Sequence, residues 1–172
     1  MNFKLVISYV FVALAASYSI TVIAADNGRP APSCQLTSLD KSLHFDLQQF
    51  KGKVVYVDFW ASWCGPCAKS FPFMNTLHKD LESKGLQVLA VNLDENTEDA
   101  QDFLTKLSPN FPVVLDAAQQ CAQDFEVKAM PTSFLIDRNG VIRETHLGFR
   151  PGEAEEFRVS VERLLAEPVA SK

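Results

Sequence analysis

The chain has 172 residues, which is enough for one domain with a hydrophobic core of its own. It carries 16 basic and 21 acidic residues, so its net charge is −5 at pH 7, and 47% of its residues are hydrophobic. This acidic balance argues against binding to nucleic acid, because such binding needs clustered Lys and Arg side chains.

The N-terminal segment, residues 1–25, has the pattern of an export signal. Lys4 is its one charged side chain, and the uncharged run that starts at Leu5 ends in small residues. The pattern predicts a secretory signal peptide that is cleaved near the end of this segment. An uncleaved membrane anchor is the alternative, because about 20 apolar residues can span a bilayer. In both cases we expect an exported domain in a compartment that permits disulfides.

A linker at 26–33 is followed by alternating strand and helix patterns. Strands are predicted at 34–39 and 43–47, which form a hairpin, and then at 54–59, 86–93, 111–115, 133–137 and 141–147. Helices are predicted from Cys64 to about Ser83 with a kink at Pro72, from Thr97 as cap to Pro109, from Asp116 as cap to Phe125, and at the C-terminus through Leu165. The pattern predicts an α/β domain over 34–167, with helices on both faces of a sheet, and a tail at 168–172.

One further stretch, 94–102, is rich in acidic residues. We interpret it as a solvated loop that leads into the first turn of a helix, rather than as a cation site.

Two cysteines lie where the first long strand ends and a helix begins. The free N–H groups and the positive dipole of a helix start favour a thiolate, and can lower a cysteine pKa from about 8.5 to roughly 3.5–7.5. We therefore expect Cys64, exposed and nearer the N-terminus, to be a nucleophile. Cys67 lies one turn into the helix and is expected to resolve the mixed disulfide that Cys64 forms.

Two other interpretations of this pair are weaker. A structural zinc ion would need a second pair of ligands at similar spacing, whereas Cys34 and Cys121 are single and far apart. A purely structural bridge would close so small a loop that it would add little loop-closure entropy. Redox catalysis without a metal or a cofactor is therefore favoured.

Three segments resemble the thioredoxin superfamily. Trp63-Cys64-Gly65-Pro66-Cys67 resembles its active-site motif, 57–60 resembles the strand before that motif, and Met130-Pro131-Thr132 resembles its cis-proline loop. The longer spacing between the second and third segments, filled around 98–115, resembles the TlpA-like, or redoxin, branch of exported proteins. This resemblance implies a thioredoxin fold with a central mixed sheet, an N-terminal hairpin and a central helix–strand insertion.

The resemblance also implies roles for individual residues. Asp58, in an otherwise apolar strand, would lie beneath the cysteines and move a proton from Cys67, with a pKa raised by burial. The alternative is an aspartate that reaches solvent at a strand end. The lysine that accompanies this aspartate in thioredoxins is replaced here by Ala90.

A substrate-binding surface is implied around the motif. Trp63, Gly65 and Pro66 would form its apolar part, while Trp60 is expected in the core. The backbone of Met130, before a cis Pro131, would pair with an extended substrate segment. An ordinary turn proline at 131 is the alternative.

The remaining two cysteines are expected to pair. In an oxidising compartment, Cys34 and Cys121 would form a structural disulfide across a long loop, the alternative being two separate buried thiols.

Together these features predict a periplasmic thiol:disulfide oxidoreductase that reduces protein disulfides and is itself reduced by a membrane thiol reductase. We expect a monomer that meets the membrane only through an uncleaved N-terminus. One alternative is a reductant for cytochrome c maturation, but Ser70 and the segment 127–130 depart from that pattern. The other is a non-catalytic binding or chaperone module, and an oxidant role stays open.

Overall fold

The computed structural model of the protein describes residues 28–168. The predicted signal peptide or anchor at 1–25 and most of the predicted tail lie outside the described residues. No helix within 28–168 is long and apolar enough to cross a membrane.

Strands and helices occur in the predicted order. The strands are β1 Leu36–Ser38, β2 His44–Phe45, β3 Val54–Trp60, β4 Leu86–Asn92, β5 Val113–Leu115, β6 Thr132–Ile136 and β7 Ile142–Leu147. The α-helices are α1 Gly65–Leu81, α2 Thr97–Leu107, α3 Gln120–Asp124 and α4 Ala154–Ala166, and short 3₁₀ turns lie at Leu47–Phe50, Glu82–Lys84 and Pro151–Glu153.

A single seven-stranded sheet runs through the domain in the order β2-β1-β5-β4-β3-β6-β7. Strands β3, β4 and β5 are parallel, and the flanking pairs are antiparallel, which confirms the predicted mixed sheet with its N-terminal hairpin. Strands β3 and β4 are buried along their whole length. This explains their nearly continuous apolar sequence, since both faces of a central parallel strand are covered.

The side chains of β3 alternate between two cores. Val54, Tyr56 and Trp60 join a core formed with α1, α2 and α4, whereas the odd-numbered residues of β3 join a core formed with α3 and the N-terminal segment. The predicted cover of helices on both sheet faces is therefore present. By the same alternation, Asp58 lies on the face that carries α1.

A disulfide joins Cys34, just before β1, to Cys121 in α3, across a sequence separation of 87. Both side chains are buried in the second core. The bridge therefore attaches the N-terminal hairpin to α3.

Two predicted helix starts are wrong. Asn96, not Thr97, is the N-cap of α2: its backbone is extended, and its side chain accepts a hydrogen bond from the Glu98 N–H at 3.0 Å. Helix α3 begins later than Asp116, whose carboxylate accepts instead from the N–H of Ala122 at 2.8 Å. The first error arises because Asp94, Asn96 and Thr97 all have side chains that can cap a helix, and only the backbone angles select one.

The cap assignment gives a matched pair of variants. We expect Asn96→Ala to lower the free energy of unfolding by about 1 kcal/mol, because it leaves an N–H of the first turn without its side-chain acceptor. Thr97→Ala, one residue into the helix, should change it by less than about 0.5 kcal/mol. Urea unfolding of both variants measures this difference. An equal or larger loss in Thr97→Ala would contradict the assignment.

Candidate active site

The two cysteines of the motif occupy the start of α1. Cys64 is the N-cap residue, and its Sγ accepts a hydrogen bond from the Cys67 backbone N–H at 3.3 Å. Pro66 fits in the first turn because the N–H groups there have no intrahelical partner to lose. The same N–H also donates to the Cys64 carbonyl at 3.1 Å, so the sulfur and this carbonyl share it. Together with the positive end of the helix dipole, it stabilises negative charge on the Cys64 sulfur.

The two sulfurs, joined in a disulfide, differ in access to solvent. Cys64 is 5% exposed and Cys67 is 0% exposed. Cys67 is the more buried of the two, as predicted, but Cys64 is buried rather than exposed. Gly65 and Pro66 are both exposed beside it.

Two tryptophans near the cysteines, one at the end of β3 and one in the motif, have different environments. Trp60 is buried, and its ring lies 4.8 Å from Phe103 and 5.1 Å from Phe71, centroid to centroid. Trp63 is 73% exposed although it directly precedes Cys64. An indole of this size costs free energy when it is left in water, so this ring is available to an apolar partner.

Asp58 is fully buried in β3, on the sheet face that carries α1. Burial raises its pKa from 3.8 to about 7, and a hydrogen bond from the Ser133 hydroxyl, 2.6 Å from Asp58 Oδ1, acts in the opposite direction. Ala90 lies directly opposite in β4 and supplies no charge. The carboxyl group is therefore poised to gain or lose a proton near neutral pH.

The loop before β6 contains a cis peptide bond between Met130 and Pro131. Pro131 is buried, and its carbonyl accepts a hydrogen bond from Gly148 N–H at 2.7 Å. Met130 is partly buried and packs against the core cluster that contains both motif cysteines. The structure thus brings this loop and the motif to the same core.

Asp94 is a residue of the site that sequence reasoning missed. It was predicted in a solvated loop, but it is buried, and its carboxylate accepts from the Ser62 N–H at 2.9 Å and the Ser62 hydroxyl at 3.0 Å. Asn92 donates to the same carboxylate at 2.7 Å. The residues before Cys64 are therefore tied to the end of β4. No local pattern marks this contact, since its partners are 32 positions apart.

Ser70 occupies the position where a glutamate would support a role in cytochrome maturation. It is buried, and its hydroxyl donates to the Cys67 carbonyl at 2.9 Å. The hydroxyl is thereby satisfied within α1, so this position adds no charge near the cysteines.

The Redoxin family model matches residues 26–160 of the chain. The thiol-disulfide oxidoreductase ResA of Bacillus anthracis is 35% identical over 129 residues, which cover 75% of this chain and 74% of the relative. ResA of Geobacillus kaustophilus is 36% identical over 121 residues, which cover 70% of this chain and 69% of the relative.

Solved structures share the fold. A candidate thiol:disulfide interchange protein DsbE from Chlorobium tepidum is 45% identical, with a TM-score of 0.78 over 82% of this chain and 99% of that protein. The thioredoxin domain of a thiol-disulfide oxidoreductase from Bacteroides vulgatus has a TM-score of 0.73 at 24% identity, over 83% of this chain and 99% of that one. These likenesses confirm the predicted thioredoxin fold.

The buried carboxyl group predicts a stability that depends on pH. The pKa of Asp58 is higher in the folded state than in the unfolded state, so the unfolded state loses this proton first as pH rises. The free energy of unfolding therefore falls as the pH rises from 3.8 to about 7. Above pH 7 the total loss due to Asp58 is constant and amounts to about 4 kcal/mol at most. Asp58→Asn should accordingly be more stable than the wild type at pH 8 and nearly equal to it at pH 4.

Urea unfolding of the two oxidised proteins at pH 4, 6 and 8 measures this effect. A stability difference that stays the same at all three values would show that Asp58 does not titrate with a raised pKa.

Proposed function

The chain belongs to the redoxin family of the thioredoxin superfamily and is a thiol:disulfide oxidoreductase, and on this basis we propose that it is an exported reductant of protein disulfides. The observation that carries the proposal is the position of Cys64 at the N-cap of α1, bridged to the more deeply buried Cys67. Asp58 lies on the same sheet face with a pKa near neutrality.

In the first step, the Cys64 thiolate attacks one sulfur of a substrate disulfide. The substrate S–S bond breaks, a mixed disulfide forms at Cys64, and the second substrate sulfur leaves as a thiolate. The helix N–H that donates to Cys64 Sγ lowers the free energy of the attacking thiolate.

In the second step, Asp58 in its ionised form accepts the proton of Cys67. The Cys67 thiolate then attacks Cys64 Sγ, the mixed disulfide breaks, and the remaining substrate sulfur leaves reduced. Two electrons have passed to the substrate, and the enzyme holds the Cys64–Cys67 disulfide. A base with a pKa near 7 suits this proton transfer because it exchanges readily at neutral pH.

Substrate would dock on the exposed surface around the motif. Trp63 offers an apolar ring, while Gly65 and Pro66 leave open backbone beside Cys64. The backbone of Met130 would pair with an extended segment of the substrate, in the manner of an added strand. This mode selects an accessible disulfide in a locally unfolded chain rather than a particular sequence.

An electron donor must restore the dithiol after each cycle. The N-terminal segment 1–25 supports export to the periplasm, with or without retention at the membrane. An exported compartment is oxidising, so we propose a membrane thiol reductase as donor and the protein as a monomer.

Substitution of each motif cysteine separates the two steps. We expect Cys64→Ser to lose at least about 100-fold in insulin reduction, because it removes the nucleophile. Cys67→Ala should instead accumulate a mixed disulfide between Cys64 and the substrate, which non-reducing electrophoresis and mass spectrometry detect. Full insulin reduction in Cys64→Ser would contradict the proposal. No insulin reduction by the wild type, with protein binding equal in the wild type and Cys64→Ser, would favour a binding module.

We further propose that Cys34–Cys121 is a structural bridge with no part in turnover. It closes a loop of 87 residues, so the chain-entropy relation gives a stabilisation of about 4–5 kcal/mol. The double variant Cys34→Ala/Cys121→Ala should lose roughly this free energy of unfolding and keep its rate of insulin reduction at temperatures where it is folded. A loss of activity in the folded double variant would contradict the assignment.

A further inference from the structure

Two buried hydroxyl groups connect to Asp58. The Tyr56 hydroxyl donates to Ser133 Oγ at 2.9 Å, and the Ser133 hydroxyl donates to Asp58 Oδ1 at 2.6 Å. All three side chains are buried, so these hydrogen bonds are shielded from water. The serine lies opposite Asp58 in the register of β3 and β6.

The hydrogen bonds distinguish the two oxygens of the carboxyl group. Oδ1 accepts from Ser133, whereas Oδ2 is buried and accepts no hydrogen bond from the described residues. Since Asp58 shares its sheet face with α1, Oδ2 is the oxygen left open for a proton from Cys67.

We propose that Ser133 and Tyr56 are positioning residues for the acid–base step, holding Asp58 ionised and its Oδ2 free at the moment Cys67 must lose a proton. This inference rests on the proposed role of Asp58 as the base for Cys67. Two neutral hydroxyls thereby stabilise the buried carboxylate, and Ala90, which lies opposite Asp58 in β4, adds no positive charge.

The direction of the effect follows from the donor geometry. A hydrogen bond donated to a carboxylate favours the ionised form and lowers the pKa of Asp58, against the effect of burial. Tyr56 affects the pKa of Asp58 only through Ser133, because its hydroxyl donates to Ser133 Oγ and not to the carboxylate. By donating to Ser133 Oγ, it polarises that hydroxyl and strengthens its bond to the carboxylate.

Few other titratable groups lie around this chain of hydrogen bonds. The start of α1 contributes Cys64 and Cys67, β7 contributes His146 opposite Ser133, and α4 presents the apolar side chains Phe157 and Val161. Burial lowers the pKa of His146, although Glu144 at 3.3 Å acts against this shift. The imidazole is therefore mainly neutral at pH 7 and above, which is the upper part of the pH range over which the step is measured.

A two-phase reaction tests the proposal. The reduced enzyme is mixed with the aromatic disulfide dithiobis(nitrobenzoate), each half of which is released as a coloured thiolate. Release of the first half reports attack by Cys64, and release of the second half reports resolution by Cys67. The rate of each phase is followed by stopped-flow absorbance from pH 5 to pH 9 in the wild type and in Ser133→Ala, Tyr56→Phe, Ser133→Thr and Asp58→Asn.

We expect Ser133→Ala to raise the midpoint of the second phase by about one pH unit, and to slow that phase about fivefold at pH 7. The first phase should not change. Tyr56→Phe should shift the midpoint in the same direction by less, and Ser133→Thr, which keeps a hydroxyl, should restore it. A merely structural role would change both phases without moving the midpoint.

Two results would overturn the inference, and they are distinguishable. In the first, the midpoint is unshifted in both Ser133→Ala and Tyr56→Phe, while the second phase is slow in Asp58→Asn. This result would reject the positioning role of the two hydroxyls and keep Asp58 as the base. A second phase that is unchanged in Asp58→Asn would reject the base itself, and the positioning role with it.

Discussion

The site depends on one hydrogen bond at the start of α1, from the Cys67 N–H to Cys64 Sγ. It exists because β3 is buried to its last residue and the chain turns within four residues into a helix capped by Cys64 itself. The first N–H groups of a helix lack the carbonyl partner of an internal turn, and here the Cys67 N–H is shared between Cys64 Sγ and the Cys64 carbonyl. The attacking atom is thus activated by the backbone.

The second requirement, a base for Cys67, is met at a cost in stability. A carboxyl group in the middle of a fully buried strand is unfavourable when it is ionised, and its pKa rises for that reason. The same burial brings the pKa to the range that proton exchange needs. Two apolar cores on either side of the sheet, and the bridge between Cys34 and Cys121, offset the penalty.

Local patterns predicted most of the fold and the redox role of the two motif cysteines. Strand alternation, helix spacing and a Cys-x-x-Cys motif each depend only on residues that are close in sequence. The polar contacts that position the site were not predictable in this way. Ser133 donates a hydrogen bond to Asp58, 75 positions away in the sequence, and Ser62 donates one to Asp94, 32 positions away. Such pairs are set by strand register, and a serine or an aspartate in a mixed sequence gives no sign of its partner.

The most direct test is the pH dependence of Cys64 alkylation by iodoacetamide in Cys67→Ala with Cys34–Cys121 intact. This variant keeps the backbone N–H at position 67 and leaves Cys64 as the one free thiol among the chain's four cysteines. The account predicts a midpoint between roughly 3.5 and 7.5, well below the value of about 8.5 for a free cysteine. A midpoint at or above 8.5 would show that the helix start does not activate this sulfur.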